Sequence, residues 1–349
     1  MKKYLGLVAM LAACGAATAQ SSVTLFGIVD AGLTYAKASG GDSAYGMSNS
    51  GNLTSRLGLR GMEDLGGGLK AGFWLEGGFN NDSGAGLTAG AFDFKRRSTI
   101  SLTGDFGEVR LGRAFTRAYE NLSRHDVFGQ VGIGQNQTWY NAPAAVVRGS
   151  NMLTYLSPSL SGFRASADLG FGETAGSASN NRYLGAAATY DNGPLSLSLA
   201  AEQWNDAAYT AGTQTIVLDN TSAYGLGAGY NFGAIRLAGL VRHQRNKPIT
   251  GESVKFNTAH VGAVVPLGAG EARVGYNYYD NASTQGKAHQ LSLGYVHNLS
   301  KRTALYGTYA FMKNKNQERF MLTAAGLNLT APAPGKSQNA ITVGIRHSF

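Results

Sequence analysis

Apolar and polar residues alternate with a period of two along most of the chain from Val23 onward. This period predicts β-strands whose two faces meet different surroundings. In residues 69–79, one face carries leucine, alanine and phenylalanine, and the other carries lysine, glycine, tryptophan and glutamate. The last segment, residues 341–349, repeats the pattern. We predict sixteen such strands, each long enough to cross a bilayer when tilted.

The connections between these segments alternate in length. We expect short turns at residues 63–68, 105–107, 192–194, 232–234, 266–270 and 298–301. We expect longer polar loops at residues 37–52, 80–90, 173–181, 205–220, 247–251 and 314–336. Short turns on one side and long loops on the other are typical of a transmembrane β-barrel, in which lipid touches the apolar faces and water fills the polar lumen.

Composition supports the barrel and excludes other classes. Charged residues make up 15% of the chain, which is low for a water-exposed β-sandwich. Aromatic residues make up 10%, which is too many for a disordered chain. No composition shift divides the chain, so we predict a single all-β domain. A closed antiparallel barrel of sixteen strands leaves an aqueous channel, whereas small barrels fill their lumen with side chains.

The first nineteen residues differ from the rest. Lys2 and Lys3 precede an apolar run at residues 5–13, and Ala17-Thr18-Ala19 fits a small-x-small cleavage site. We predict a signal peptide over residues 1–19 and a barrel domain over residues 20–349. Cys14 is the single cysteine of the sequence. The run Leu11-Ala12-Ala13-Cys14 leaves an alternative open, a lipoprotein box with Cys14 as the lipidated first residue.

The longest stretch without strand pattern covers residues 116–148 and follows the fifth predicted strand, residues 108–115. Loops of this length in compact domains are usually functional. This one is rich in glycine and poor in charge. We expect it, as the third long loop, to fold into the barrel and narrow the pore. The alternative is a surface loop that shields the rim.

Strand parity indicates which charged residues face the lumen. We expect Leu53, Leu57 and Leu59 on the lipid face of their strand. Arg56 and Arg60 should then face inward. Arg148 ends the long loop at the pore wall. The same rule also turns inward Asp30, Lys70, Glu76, Glu108, Arg110 and Arg346.

Parity is ambiguous for the basic run Lys95-Arg96-Arg97. Lipid-facing Ile100 and Leu102 place Arg97 and Lys95 inside and Arg96 outside. An arginine in the lipid face near the midplane costs about 2–4 kcal/mol. Either a bulge resets the register or Arg96 lies beyond the hydrocarbon, and at least one guanidinium of this run should reach the lumen. The alternative is that these arginines line an ordinary solvated surface.

Fixed cations in a narrow constriction concentrate anions and repel cations. Arginine suits this task because it stays charged and presents planar donors to carboxylate or phosphate. We therefore predict passive diffusion of small hydrophilic solutes and ions with a preference for anions.

Four long motifs resemble β-proteobacterial trimeric general porins, and the anion-selective members most of all. They are SSVTLFG from residue 21, SRLGLRGMEDLGGGLKAGFWLEGGF from residue 55, FKRRSTISLTGDFGEVRLGR from residue 94 and AHQLSLGYVHNLSKRTALYG from residue 288. The terminal GIRHSF ends in Phe349, like the signal that the barrel assembly machinery recognises.

The resemblance implies a homotrimer in the Gram-negative outer membrane, in contact with lipid and lipopolysaccharide, with the third loop inside each pore. Motif by motif, the constriction arginines of the family correspond to Arg56, Arg96 and Arg148, with Arg97 as the alternative to Arg96. Loop acids oppose the arginines in many members, and Glu120 and Asp126 are the candidates here.

Other functions fit the sequence less well. The six histidines are scattered with no triad spacing, so we expect neither an enzyme nor catalytic residues, and no cofactor or metal site. Three tryptophans are too few for the aromatic ladder of a sugar channel, although a channel specific for an organic anion, or an adhesin, stays open. The net charge of +9 is spread along the chain, so we expect no nucleic-acid partner.

Overall fold

The computed structural model describes residues 22–86, 91–142, 144–211 and 214–349. The predicted signal peptide, residues 1–19, lies outside them. Eighteen strands in the described part form one sheet. Two short helices, α1 (Arg117–Ser123) and α2 (Thr138–Asn141), lie in the connection after the sixth strand. In the described ranges, neither helix nor any other is long and apolar enough to cross a membrane.

The strands follow one another as antiparallel neighbours. Their bounds are β1 (Ser22–Ala38), β2 (Ser43–Asn49), β3 (Arg56–Gly66), β4 (Leu69–Gly78), β5 (Arg97–Gly104), β6 (Gly107–Phe115), β7 (Arg148–Leu156), β8 (Phe163–Gly170), β9 (Tyr183–Asn192), β10 (Leu195–Asn205), β11 (Ala208–Ala211), β12 (Gln214–Asn231), β13 (Arg236–Pro248), β14 (Val254–Leu267), β15 (Gly270–Asn281), β16 (Gly286–Asn298), β17 (Thr303–Lys315) and β18 (Ser337–Ser348).

The sheet closes on itself because β1 pairs with β18, with Asp30 opposite Arg346. Two pairs of strands each act as one barrel strand. β2 and β3 pair with successive halves of β1, and β10 and β11 pair with successive parts of β12. The eighteen strands therefore make a closed barrel of sixteen. The prediction of a sixteen-stranded antiparallel barrel is confirmed.

The two faces of the wall differ as the alternation predicts. Val241 and Val261 expose 50% and 59% of their surface on the outside. Their neighbours Arg242, His260 and Asn277 are buried on the inside. Apolar side chains on the exterior and polar ones within are the inverse of a water-soluble protein, and they suit a wall surrounded by lipid.

Two expected loops contain strands. In residues 37–52, β1 and β2 continue as a hairpin in which Tyr35 pairs with Tyr45. In residues 205–220, β11 and β12 pair between Ala208 and Val217. Many residues of these hairpins are serine, glycine, threonine or asparagine, so the alternation of apolar and polar positions is weak there. The hairpins extend past the lipid and need no apolar face. Leu53, expected on the lipid face, instead lies in the interruption between β2 and β3.

The connection at residues 116–147, termed here the inner loop, lies against the inward face of the wall. Thr116 caps α1 by accepting a hydrogen bond from the Tyr119 amide at 3.2 Å. Ile133, near the middle of the inner loop, packs in a buried cluster with Tyr279 and Met312 of the wall. Phe320 and Leu322 of the connection after β17 complete this cluster. The inner loop therefore occupies part of the lumen.

We predict that Val261→Arg destabilises the barrel by about 2–4 kcal/mol, because it places a charge in the lipid-facing band near mid-strand. Val261→Leu at the same position should stay within error of the wild type. Urea unfolding in lipid vesicles measures both. Equal midpoints for the arginine variant and the wild type would contradict a lipid-facing Val261.

Candidate functional site: the arginine-lined constriction

Two arginines share one carboxylate on the inner wall. Arg96 Nε donates to Glu76 Oε1 at 2.7 Å, and Arg56 Nη1 lies 3.7 Å from the same oxygen. Trp74 Nε1 donates to Glu76 Oε2 at 3.2 Å. The side chains of Arg96 and Glu76 are each 10% exposed, and Arg56 is 26% exposed. One negative charge thus orients two guanidinium groups, and this group of three carries a net positive charge.

Both Arg96 and Arg97 lie on the inner side. β5 begins at Arg97, which pairs with Glu76 across the sheet and so shares its face. Arg96 precedes the strand, and its amide donates to the Glu76 carbonyl at 3.1 Å. Strand alternation does not apply to Arg96, which explains why parity placed it outside. Lys95, expected inside, is half-exposed and pairs with Asp93 at 2.9 Å.

Aromatic rings hold further arginines. The Arg97 guanidinium carbon lies 4.4 Å from the Trp74 ring centre, and Arg97 Nε donates to Thr99 Oγ1 at 3.0 Å. Arg60 lies 5.2 Å from the Trp74 ring and 5.5 Å from the Phe26 ring. Cation–π contacts of this kind position a guanidinium without neutralising it.

Arg148 joins the group from the far end of the inner loop. Its Nε donates to the Arg96 carbonyl at 3.0 Å, and its guanidinium carbon lies 4.0 Å from the Phe115 ring centre. Arg110 is held by an acid and not by a ring, since Arg110 Nη2 lies 2.8 Å from Glu108 Oε1.

A cavity of about 500 Å³ brings most of these groups together. A second one, of about 550 Å³, lies between the arginines and the inner loop and is lined by Arg56, Arg96 and Arg148. The lining of the first includes Phe26, Arg56, Trp74, Glu76, Arg96, Arg97, Arg110, Phe115 and Glu120. The predicted arginines therefore do converge, with Arg60 further along the same wall.

The two predicted loop acids have different surroundings. Glu120 is half-exposed, pairs with Arg117 and lines the arginine cavity. Asp126 is fully buried and accepts hydrogen bonds from the amides of Phe128, Gln130 and Asn136 at 3.0, 3.1 and 3.0 Å. The Asp126 carboxylate thus holds the inner loop in shape and does not contact the arginines.

Asp30 positions Arg56, which sequence analysis did not anticipate. Its buried carboxylate accepts from the amides of Gly51, Asn52 and Leu53 at 3.1, 2.9 and 2.6 Å, and from the Tyr306 hydroxyl at 2.6 Å. These bonds fix residues 50–55, the interruption that leads directly into Arg56. An inward aspartate on the first strand was the signal in the sequence, but its partners are distant along the chain.

Glycines of the wall receive side chains of the inner loop. Each glycine lacks the Cβ that would collide with the loop side chain packed against it. A Cβ on Gly227 would lie 2.2 Å from His125, one on Gly262 would lie 2.5 Å from Val127, and one on Gly294 would lie 2.8 Å from Phe128. Gly132 of the inner loop has a φ of 71°, and a Cβ there would lie 2.2 Å from the Gly51 carbonyl oxygen. The glycines thus form a docking surface for the loop.

Two histidines lie where the inner loop meets the wall, His125 on the loop and His260 on β14. His125 Nε2 is 2.9 Å from Ser198 Oγ, and burial lowers the pKa of His125 to about 4. His260 Nδ1 lies 2.7 Å from Asn277 Oδ1, and the Val127 amide donates to His260 Nε2 at 3.4 Å. Neutral His125 therefore packs between the inner loop and the wall.

Phe349 lies at the barrel seam. Its amide and carbonyl exchange hydrogen bonds with Gly27 at 3.0 and 3.1 Å. Its ring covers Gly27 and is 45% exposed. An accessible terminal aromatic is compatible with the assembly role predicted for it, which stays a prediction.

A closed barrel with an apolar exterior and a charged, partly plugged lumen defines a pore-forming protein of the outer membrane. The model of the Gram-negative porin family matches residues 6–317, and the chain belongs to that family. It is an outer-membrane channel for passive diffusion, and not an enzyme.

Individual relatives agree with this assignment. The chain is 47% identical to outer membrane porin protein 32 of Delftia acidovorans, with full coverage of both chains. It is 45% identical to the solved anion-selective porin from Comamonas acidovorans, with a TM-score of 0.87 over 95% of this chain and all of the other. A trimer form of OmpT from Vibrio cholerae, 13% identical, matches with a TM-score of 0.70 over 94% of this chain and 99% of the other, and so shares the fold.

We predict that Gly294→Val displaces the inner loop, because the new side chain would occupy the position of the Phe128 ring. Single-channel conductance should rise as the loop leaves the lumen. Gly307→Val is the matched control, because a Cβ at Gly307 finds its nearest neighbour at 3.9 Å. Unchanged conductance in a folded Gly294→Val channel would contradict docking of Phe128 on this glycine.

We predict that Asp30→Asn destabilises the barrel by about 1–3 kcal/mol, because it weakens hydrogen bonds that end on a buried charge. Tyr306→Phe removes one donor of four and should cost less. Urea unfolding midpoints rank the three proteins. If Asp30→Asn were no less stable than Tyr306→Phe, the carboxylate would not hold residues 50–55.

Proposed function

We propose that the channel prefers anions and that Arg56, Arg96, Arg97 and Arg148 are responsible. The observation that carries this proposal is the sharing of the Glu76 carboxylate by Arg56 and Arg96, which leaves an excess of positive charge beside the arginine cavity. Arg97 adds a charge held by a ring and a hydroxyl. In a narrow lumen such charges raise the local anion concentration.

The lining suits small anions that carry carboxylate or phosphate groups. Guanidinium groups offer these ligands two parallel donors. Glu120, which lines the arginine cavity, would oppose anions on the loop side and shape the path between the two charges. Arg60 extends the basic wall away from the constriction, and Arg110, paired with Glu108, lines the arginine cavity itself. Asp126 contributes indirectly, by keeping the inner loop in place.

The same proposal includes the partners implied by the resemblance. We propose a homotrimer, supported by Phe92 and Phe94 on the connection after β4, which are exposed and pack edge to face at 5.7 Å. Export would use residues 1–19 as a cleaved signal peptide, and folding would use Phe349 as the signal for the barrel assembly machinery. Outer-membrane lipid and lipopolysaccharide would surround the barrel.

We predict a zero-current potential of anion-preferring sign across a planar bilayer that separates two potassium chloride concentrations. Arg56→Ala, Arg96→Ala and Arg148→Ala should each move the potential toward zero, and the triple variant should abolish most of it. Raising the salt should also weaken the preference, since the screening length falls from about 10 Å at 0.1 M to about 3 Å at 1 M.

Two controls separate charge from shape. Arg96→Lys keeps the charge and should keep the sign of the potential. Arg302→Ala removes an exposed arginine in the turn between β16 and β17, outside the pore, and should change nothing. A neutral or cation-preferring potential in the wild type would refute the anion preference.

A further inference from the structure

Two opposite charges face each other across β4 and β5 without forming an ion pair. Strand register places Arg97 directly opposite Glu76. The Cβ atoms of such a pair are about 4.5–5.5 Å apart, and opposite charges at these positions attract each other. Among the residues that the structure describes, however, no carboxylate lies within 4.0 Å of the Arg97 guanidinium. Another contact must hold Arg97 away from its cross-strand partner.

The Trp74 side chain contacts both members of this pair. Its Nε1 donates to Glu76 Oε2 at 3.2 Å, while Glu76 Oε1 accepts from Arg96 at 2.7 Å. Its ring centre lies 4.4 Å from the Arg97 guanidinium carbon, and Arg97 Nε donates to Thr99 Oγ1 at 3.0 Å. Both carboxylate oxygens are therefore occupied, and the guanidinium is attracted to the ring face instead. One indole thus separates an acid from a base that the sheet brings together.

The indole is itself packed from the neighbouring strands. Phe26 contacts Trp74 edge to face, with 5.1 Å between the ring centres. Space for Phe26 exists because Gly58 has no side chain, since a Cβ there would lie 2.4 Å from the Phe26 ring. Arg60, directly opposite Trp74 on β3, lies 5.2 Å from the indole ring. The indole therefore has a fixed place on the wall, and it determines where Arg97 lies.

Arg97, held on this ring, lies where two cavities of the inner wall meet. It lines the arginine cavity, and it also lines a third cavity of about 410 Å³ nearer the turn between β5 and β6. Ser101 and Thr103 belong to the lining of that third cavity. Of these two cavities, Glu76 lines the arginine cavity alone. An ion pair with Glu76 would therefore neutralise Arg97 and draw it away from the third cavity.

We propose that Trp74 is a positioning residue that prevents Arg97 from pairing with Glu76 and keeps the Arg97 charge available to anions in the lumen. Glu76 then orients Arg56 and Arg96 alone. The inference deepens the anion preference proposed above and rests on it for its role in transport. The contact between the side chains can be tested without it.

The test measures how fast phenylglyoxal, a reagent for guanidinium groups, labels Arg97 of the full channel in detergent, by mass spectrometry of its peptides. Trp74→Leu should lower the rate at Arg97 about threefold, because the freed guanidinium then pairs with Glu76. A ring that only shielded Arg97 would have the opposite effect, since its loss would raise the rate. Exposed Arg302 provides the internal reference and should react equally in every variant.

Three further variants separate the contributions of ring, N–H group and acid. Trp74→Phe keeps a ring without the N–H group and should give a rate between those of the wild type and Trp74→Leu. Glu76→Gln, added to Trp74→Leu, should restore the labelling of Arg97, because no carboxylate remains opposite it. Trp204→Leu is the matched control, since Trp204 on β10 packs in another cluster, with Tyr183, and should leave the rate unchanged. Circular dichroism verifies that each variant keeps its strand content.

Two labelling results would overturn the proposal. They are an unchanged or higher rate at Arg97 in Trp74→Leu, and a rate that stays low after Glu76→Gln is added.

The zero-current potential tests the role of this contact in transport. Trp74→Leu and Arg97→Ala should each weaken the anion preference, and Trp74→Leu added to Arg97→Ala should weaken it no further. Additive losses would contradict an action of Trp74 through Arg97. A wild-type channel without anion preference would refute the proposed function and leave the labelling result unaffected.

Discussion

Closure of the sheet is the constraint on which the rest of this structure depends. Hydrocarbon offers no hydrogen bonds, so an open strand edge within it would leave a row of unsatisfied backbone groups. Pairing of β1 with β18 over eleven residue pairs removes that edge. Once the wall is closed, alternation sends every second side chain into the lumen. The arginines, the glycines and the buried polar residues of the interior all follow from this geometry.

The inner loop is held by shape and by polar contacts at the same time. Glycines on β12, β14 and β16 leave space for His125, Val127 and Phe128. The Asp126 carboxylate fixes the backbone of the same turn from within. These two contributions are complementary, because a loop with a fixed backbone can pack into a wall whose glycines leave matching space. The constriction therefore has one preferred form.

Sequence alternation predicted the barrel, its sixteen strands and the inward position of Arg56, because period-two patterns report local backbone geometry. Alternation did not predict the orientation of residues that lie outside regular strands. Arg96 occupies a bend, so strand parity does not apply to it, and the hairpins at residues 37–52 and 205–220 carry too few apolar residues to show a regular alternation. The role of Asp30 could not be predicted, because its donors at residues 51–53 and Tyr306 meet it only after the barrel closes. Resemblance to porins supplied Arg96, which parity alone did not.

Sharing of Glu76 by Arg56 and Arg96 has a consequence for the speed of transport. Any anion that reaches these guanidinium groups competes with a carboxylate that is already bound and cannot leave. If the channel prefers anions as proposed, Arg56 and Arg96 would be only partly available to a visiting anion, and its residence time there would be short. Under that proposal, such a pair would attract anions without retaining them. A wall in which Arg56 and Arg96 lacked the shared carboxylate would bind a visiting anion more strongly and would hold it for longer.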